Sequence, residues 1–410
     1  MKTNKLITAL FACTFIVSAN AAPKAQWVNE VSNNKASSLF SGEILTPQVN
    51  NNHQTVSFSY KLDANENLDF ATKPFVEHSK QYWLDSTGTQ LASGIELPVT
   101  GGTTIIRISP LSNDKSVQLT AAAITILNNG AEKNIDVFAD SEELKATGAM
   151  FSDNSIALKV QTQAGKLNLK VATATGDMPF VVHVFEPQSP YVLSLNAKES
   201  TFNANQDIQI TTTLQQGETK IAANLQGYIN RPDGTVLGEL KFSQQADGSF
   251  QASLPAVGTQ GLAQGLWQVH VFAKGHDQNT EIMRDAQTSF AVNLNSAEFT
   301  NKLTLANNKL KIGVNVGVAG RYEVRGVIMG SNKTGQLQPI AMTMAASWLA
   351  EGQQDISLPI TAKLMAQSNL NAPYFIKNIT LTNQTYLAPV QKINSGIKLV
   401  NFQFNENIDK

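Results

Sequence analysis

The five histidines, His53, His78, His183, His270 and His276, are the natural starting point for metal or acid–base chemistry, and none has the spacing such chemistry needs. A zinc protease site sets two histidines four apart on one helix face with a glutamate between them. Both imidazoles then reach one ion, and the carboxylate reaches its water. His183 and His270 instead occupy equivalent places in strands whose alternate residues are apolar, which turns them outward as surface histidines. No serine is flanked as Gly-x-Ser-x-Gly, the turn that presents a hydrolase nucleophile. Gly330-Ser-Asn-Lys333-Thr334 lacks the glycines of a phosphate loop, with Val327 and Asn332 where they would stand. Gly313, Gly317 and Gly320 are interleaved with Ile312, Val314, Val316 and Val318, which is the pattern of a strand with small outward residues.

The carboxylates admit two readings. Asp140-Ser141-Glu142-Glu143 could ligate calcium or supply paired acids, but it also fits the acidic first turn of a short helix capped by Asp140 or Ser141, and that reading is preferred. Asp277, Glu281 and Asp285 flank a hairpin loop and could hold calcium weakly, without the DxDxDG spacing of a dedicated loop. Asp233 and Asp247 each precede a glycine and are turn residues. The expectation is no catalytic residue, no metal ligand set and no cofactor, with calcium the one ion that has any support. Aromatic side chains offer a different chemistry, stacking. Trp267 and Tyr374 lie on internal strands and are expected in the core, and Trp348 is expected to pack beneath the turn at Glu351-Gly352. Tyr82 and Trp83 are adjacent, so on a strand one of them must face away from the core, and this pair is the binding candidate.

The elements that must carry these side chains are strands. Val56, Phe58, Tyr60 and Leu62 alternate with polar residues, as do Ile156, Leu158 and Val160, then Leu167, Leu169 and Val171, and later Ile208 and Ile210. Alternation of this kind marks antiparallel strands with one face in a core and one in water. Ser86-Thr87-Gly88, Gly101-Gly102, Asn128-Asn129-Gly130, Pro232-Asp233-Gly234 and Asp247-Gly248 punctuate them as turns. Only 142–147 and 361–367 suggest short helices. The predicted class is all-β, as tandem immunoglobulin-like β-sandwich domains.

Composition narrows the partners. Of 410 residues only 15% are charged, and polarity comes instead from 37 Asn and 30 Gln. A formal charge of −1 provides no basic field for nucleic acid. Lys2 and Lys5, the apolar run 6–17 and Ala19-Asn20-Ala21 read as an export signal over residues 1–21, cleaved before Ala22. Leu10-Phe11-Ala12-Cys13 is a poor lipoprotein box because Phe11 is too bulky, so the mature chain contains no cysteine, disulfide or thiolate site. No second apolar stretch is long enough to span a membrane.

One strand motif divides the mature chain. Pro179-Phe180-Val181-Val182-His183-Val184 is echoed by Leu266-Trp267-Gln268-Val269-His270-Val271 and by Pro373-Tyr374-Phe375-Ile376-Lys377. The interval between aromatics suits one sandwich of about 100 residues per copy. Glu186-Pro187-Gln188-Ser189-Pro190 marks a boundary, and Asn293-Leu294-Asn295-Ser296 a softer one. The expected organisation is a signal peptide at 1–21, an N-terminal β domain at 22–187 with a possible split near 110–115, an Ig-like sandwich at 188–295 and a C-terminal one at 296–410.

The runs His183-Val-Phe-Glu186-Pro187-Gln-Ser189-Pro190, Arg231-Pro-Asp-Gly234, Gly265-Leu-Trp-Gln-Val269-His and Arg284-Asp285-Ala286-Gln-Thr288-Ser-Phe290-Ala-Val292 resemble an exported Ig-like family of unknown function found in Legionella and other gammaproteobacteria. The resemblance covers roughly residues 27 to 400. It implies the sandwich fold, passage through the periplasm by type II secretion, and a role at the cell surface or host interface. The leading expectation is a secreted, non-catalytic binding protein for a surface glycan, matrix or host component, with the secretion machinery as a partner in transit. The alternatives are a hydrolase or accessory module with its site in the N-terminal β region, and a periplasmic chaperone or scaffold.

Overall fold

A computed structural model of the chain describes residues 22–29, 39–44, 48–66, 68, 74–111, 119–146, 148, 154–174, 176–259, 262 and 265–402. The expected signal segment with Cys13, and most of the 110–115 stretch, lie outside the described residues. The described structure is nearly all antiparallel strand, as the alternation predicts. It falls into two units, one drawing on Lys35–Pro47 and Ala71–Asn295, the other on Met1–Asn34, Gln48–Phe70 and Ser296–Lys410.

The first of these units is organised around one ten-stranded sheet. Its order is Val236–Glu239, Ala223–Asn230, Leu266–Asp277, Thr280–Asn293, Gln81–Thr87, Pro179–Phe185, Gly102–Pro110, Ile156–Thr162 and Val137–Ala139, with Thr201–Asn203 added parallel to Thr280–Asn293. The sheet is continuous across the middle because Asp285 lies opposite Gln81. A four-stranded sheet including Ile95–Val99, Gly165–Val171 and Ile124–Asn128 closes one core, in which Phe180, Val182, Ile106, Leu158 and Leu167 are fully buried. In the middle sandwich Phe290 meets Phe202 edge-on at 5.3 Å and stacks with Trp267 at 6.5 Å. Apolar burial on this scale, roughly 1.5–3 kcal/mol per large side chain, is what can stabilise a chain whose single cysteine allows no internal disulfide.

Among the described residues, three short α-helices interrupt the strands. Ser141–Ala146 and Ala362–Gln367 lie where the sequence suggests them. Gly88–Ser93 was expected as a turn. It is a helix because Thr87 and Gln90 form a reciprocal capping box, each side chain bonding the other's backbone N–H.

The second unit pairs a seven-stranded sheet, ordered Lys24–Trp27, Ile397–Val400, Asn371–Asn383, Gly320–Ser331, Leu337–Leu349 and Val56–Lys61 with Ala388–Ile393 attached to Asn371–Asn383, with a three-stranded sheet of Ala297–Ala306, Lys309–Val316 and Gly352–Pro359. Tyr322, Val324, Ile312, Leu358 and Ile376 fill the space between them. Both outer strands of the large sheet come from the N-terminal part of the chain. Lys24–Trp27 pairs with Ile397–Val400, and Val56–Lys61 with Leu337–Leu349, so residues placed by sequence in the N-terminal domain build the C-terminal one. Alternation reveals a strand but not which distant sheet edge has backbone groups free to accept it.

The 56–61 strand also departs from the expected burial. Val56, Phe58 and Tyr60 are 40%, 49% and 48% exposed, while Ser59 faces the opposite sheet and donates its hydroxyl to the Pro359 carbonyl at 3.3 Å. An edge strand can carry its apolar stripe on the outer face because only one of its sides is fixed by pairing.

Candidate functional site

Near the middle of the ten-stranded sheet, strand alternation sends Tyr82 and Trp83 to opposite faces. Tyr82 is buried, its hydroxyl donates to the Pro98 carbonyl at 2.8 Å, and burial pushes its phenol pKa up. Of the two candidates it is therefore the core residue, and Trp83 is the one on the outer face.

There Trp83, His183 and Arg107 stand side by side on three neighbouring strands. The indole stacks on the imidazole with centroids 4.1 Å apart, and the guanidinium carbon lies 5.0 Å from the indole centroid. Cation–π contact of this kind contributes about 0.5–2 kcal/mol, more as water is excluded. His183 Nε2 lies 2.8 Å from Gln81 Oε1 and donates to it, since that oxygen can only accept. Burial, reinforced by the charge of Arg107, holds the His183 pKa down to about 4, so the ring is neutral at neutral pH.

Across the seam, Asp285 sits beside Gln81, and the nearby Trp83 indole N–H works to lower its carboxyl pKa. Burial outweighs that effect and pushes the Asp285 pKa up to about 7. Further along the same sheet Tyr228 stacks on His270 at 4.8 Å and lies near Phe272 at 6.4 Å. Burial raises the Tyr228 pKa, with the charges of Asp285 and Asp85 adding to it.

On the inner side of the seam lies a second polar group. Arg284 Nη1 meets Glu186 Oε2 at 3.0 Å, Nη2 donates to Ser189 Oγ at 2.6 Å, and Nε donates to the Tyr191 carbonyl at 3.2 Å. Glu186 Oε1 accepts from the backbone N–H of Thr100 at 2.6 Å and from its hydroxyl at 2.9 Å. The Pro-flanked junction is thus packed interior, since Glu186 and Ser189 are both buried.

The acidic clusters are accounted for locally. Asp140 Oδ1 accepts from the N–H groups of Glu142 and Glu143, which makes it a helix cap. Asp277 accepts from the Tyr191 hydroxyl at 2.8 Å, and Glu281 pairs with Lys274 at 2.6 Å, so the three hairpin acids point to different partners. Among the described residues no group of three or more His, Cys, Asp or Glu is placed to hold a metal ion. No described helix is long and apolar enough to cross a membrane.

The sheet face can stack a flat or polyhydroxylated surface on aromatic rings and offer hydrogen bonds around them. Proton transfer is less well served, because His183 is committed to Gln81. Sequence reasoning found Trp83 and the outward His183, weighed Asp285 only as a weak calcium ligand, and missed the roles of Arg107, Glu186 and Arg284. Their partners lie about a hundred or more residues away in several cases, and no local spacing signals a cross-sheet pair.

Two domain profiles match the sequence. The N-terminal domain of a family described as a domain of unknown function, DUF4785, matches residues 47–186, and the C-terminal domain of the same family matches 296–400. The chain belongs to the DUF4785 family. A crystal structure of a DUF4785 family protein from Legionella pneumophila superposes with a TM-score of 0.65 at 17% identity, covering 86% of this chain and 94% of that one, and so shares the fold. Trypsin-activated α2-macroglobulin from Escherichia coli matches with a TM-score of 0.21 at 12% identity over 72% of this chain, which spans 22% of that protein. The methylamine-reacted Salmonella α2-macroglobulin matches similarly, at 0.23 and 10% over 78% of this chain and 24% of that one. Scores this low carry no argument. Comparison with curated proteins gives no match. The Trp83 face lies within the span of the DUF4785 N-terminal domain, apart from Asp285, Tyr228 and His270 in the middle sandwich that adjoins it.

Proposed function

We propose that this DUF4785 protein is exported, non-catalytic and made for binding, recognising a surface glycan, matrix or host component. The observation that carries this reading is the Trp83 face. Its chemistry-bearing side chains are arrayed across a sheet surface as stacked rings and a guanidinium, rather than converged on one reacting point. Such an array contributes contact area and orientation, which is what recognition of a large surface needs. The low charge and the amide-rich composition favour hydrogen bonding over an electrostatic partner, and nucleic acid is not the expected ligand.

Export rests on the Lys2-to-Ala21 pattern. Release by type II secretion rests on a resemblance to NttE, a Legionella substrate of that system, so the secretion machinery is a partner in transit. The experiment is fractionation of the native organism with and without a working type II system, followed by immunoblotting for the mature chain. Secretion-dependent appearance outside the cell or on its surface is expected. Retention in the periplasm in both strains contradicts the proposal and redirects the search to envelope partners.

A further inference from the structure

We propose that the C-terminal unit holds a second binding site, an open groove that takes a neutral oligosaccharide. The proposal deepens the binding reading above by naming a ligand class and a location, and it rests on that reading only for the kind of partner.

The groove lies where the 56–61 strand turns away from the sheet. Two adjoining cavities of about 440 and 510 Å³ share Ala64 and Pro339 as walls. Together they have the size of an ordinary ligand site, roughly 300–1,000 Å³. The turn is pre-set. Leu62 N–H bonds the Ile340 carbonyl at 3.0 Å, Glu66 N–H bonds the Asp63 carbonyl at 3.0 Å, and Asn65 N–H bonds Asp63 Oδ1 at 2.9 Å. A ligand entering here would not have to order the backbone first.

The lining selects the chemistry. Asn65, Glu66, Gln336 and Gln338 border the first cavity, and Gln367 and Asn369 the second. Among the described residues, none of these six side chains is engaged in a hydrogen bond or ion pair, although the backbones of Asn65 and Gln336 are. Five uncommitted amides therefore converge on one groove. Each presents donors and an acceptor in one plane, which matches sugar hydroxyls that both give and take a hydrogen bond. Fixed charge is sparse and of both signs, Lys61 against Asp63 and Glu66, which disfavours a polyanion or a polycation.

The strand that leads into the groove supplies the apolar half of a sugar site. Phe58 and Tyr60 are about half exposed and project from the same outer face. Residues two apart on a strand are separated by about 6.5–7 Å, so the rings form a platform on which a pyranose can lie. Tyr60 immediately precedes Lys61, which lines the groove, so platform and amides can act on one chain of sugars.

The test is calorimetric titration of the purified mature chain with maltohexaose, cellohexaose and chitohexaose, repeated with Gln338→Ala, Asn65→Ala, Tyr60→Ala and Trp83→Ala variants. At least one hexasaccharide is expected to bind at a single site. Gln338→Ala and Asn65→Ala should each weaken it by about tenfold, the equivalent of one well-made hydrogen bond, and Tyr60→Ala by a similar factor. These side chains make no internal bonds, so the variants should keep the parent melting temperature. If none of the three sugars binds, or if binding survives all groove substitutions, the proposal is overturned. If Trp83→Ala alone abolishes binding, the sugar sits on the sheet face, which overturns the groove while leaving the binding function intact.

Discussion

Glu186 and Arg284 form an ion pair at 3.0 Å with neither side chain exposed to water. Burying two charges costs several kcal/mol each, and the attraction between them compensates only if the remaining lone pairs and protons are also bonded. Here Thr100 bonds Glu186 Oε1, and Ser189 with the carbonyls of Met283 and Tyr191 bonds the guanidinium, while Glu186 Oε2 has its contact with Arg284 and no hydrogen bond. The pair ties the end of the Pro179–Phe185 strand to the long Thr280–Asn293 strand, so the junction at residues 186–190 is an anchored part of the interior.

Arg284→Met should therefore be far more damaging than its surface-free position suggests. It leaves the Glu186 carboxylate buried without its cation, a loss of about 3–5 kcal/mol. The double change Glu186→Gln with Arg284→Met should cost clearly less than the sum of the two single changes. Urea unfolding of the intact chain measures this, and strict additivity would mean that the two groups do not act as a pair.

Asp285 and His183 make opposite contributions to stability as pH changes. The Asp285 pKa is raised on folding to about 7, so its contribution is complete below about 4, its unfolded value, and is lost as pH rises through 7. The His183 pKa is lowered to about 4, so its contribution is present above about 6.5 and lost as pH falls through 4. Asp285→Asn removes the first effect and leaves the second. The variant should gain stability over the parent between pH 4 and 7, by an amount on the order of 4 kcal/mol at most. Parallel melting curves for the two proteins across that range would contradict the assignment.

Trp83 is expected to affect Asp285 and His183 through different parts of its ring. Trp83→Phe keeps a stacking face for His183 but deletes the indole N–H that lowers the Asp285 pKa, so that pKa should rise while that of His183 stays low. Trp83→Ala should also let water reach the imidazole and bring its pKa up toward the ordinary value near 6.5. NMR titration of the two side chains separates these outcomes.

How much of this was legible depends on which interactions are local. The all-β class, the buried aromatics Phe180, Trp267 and Tyr374, the Asp140 helix cap and the outward His183 all follow from alternation or from spacings of a few residues. The Thr87–Gln90 capping box was also present in the sequence as a three-residue interval, hidden by the stronger turn signal of Gly88. Asp285 and Arg284 could not be read the same way. They are adjacent residues facing opposite sides of one strand, and each acquires its chemistry from side chains brought alongside by the continuous sheet. The 56–61 strand shows the limit most directly, since its alternation was legible, its orientation was not, and nothing local pointed to its partner strand.

That orientation has its own test. Phe58→Ser on the exposed edge strand should change unfolding free energy by no more than about 0.5 kcal/mol, as surface substitutions usually do. Phe180→Ala in the core should cost about 3–5 kcal/mol. A loss of core size at position 58 would mean that its ring is covered in solution.

The central claim, that this chain is a binding protein, is tested most directly by equilibrium binding of the purified mature protein to immobilised mucin and to surface polysaccharide from the native organism. The account predicts saturable binding to at least one of them, retained at high salt because few charges are involved. Absence of binding to both, with protein shown to be folded by its melting curve, would contradict it.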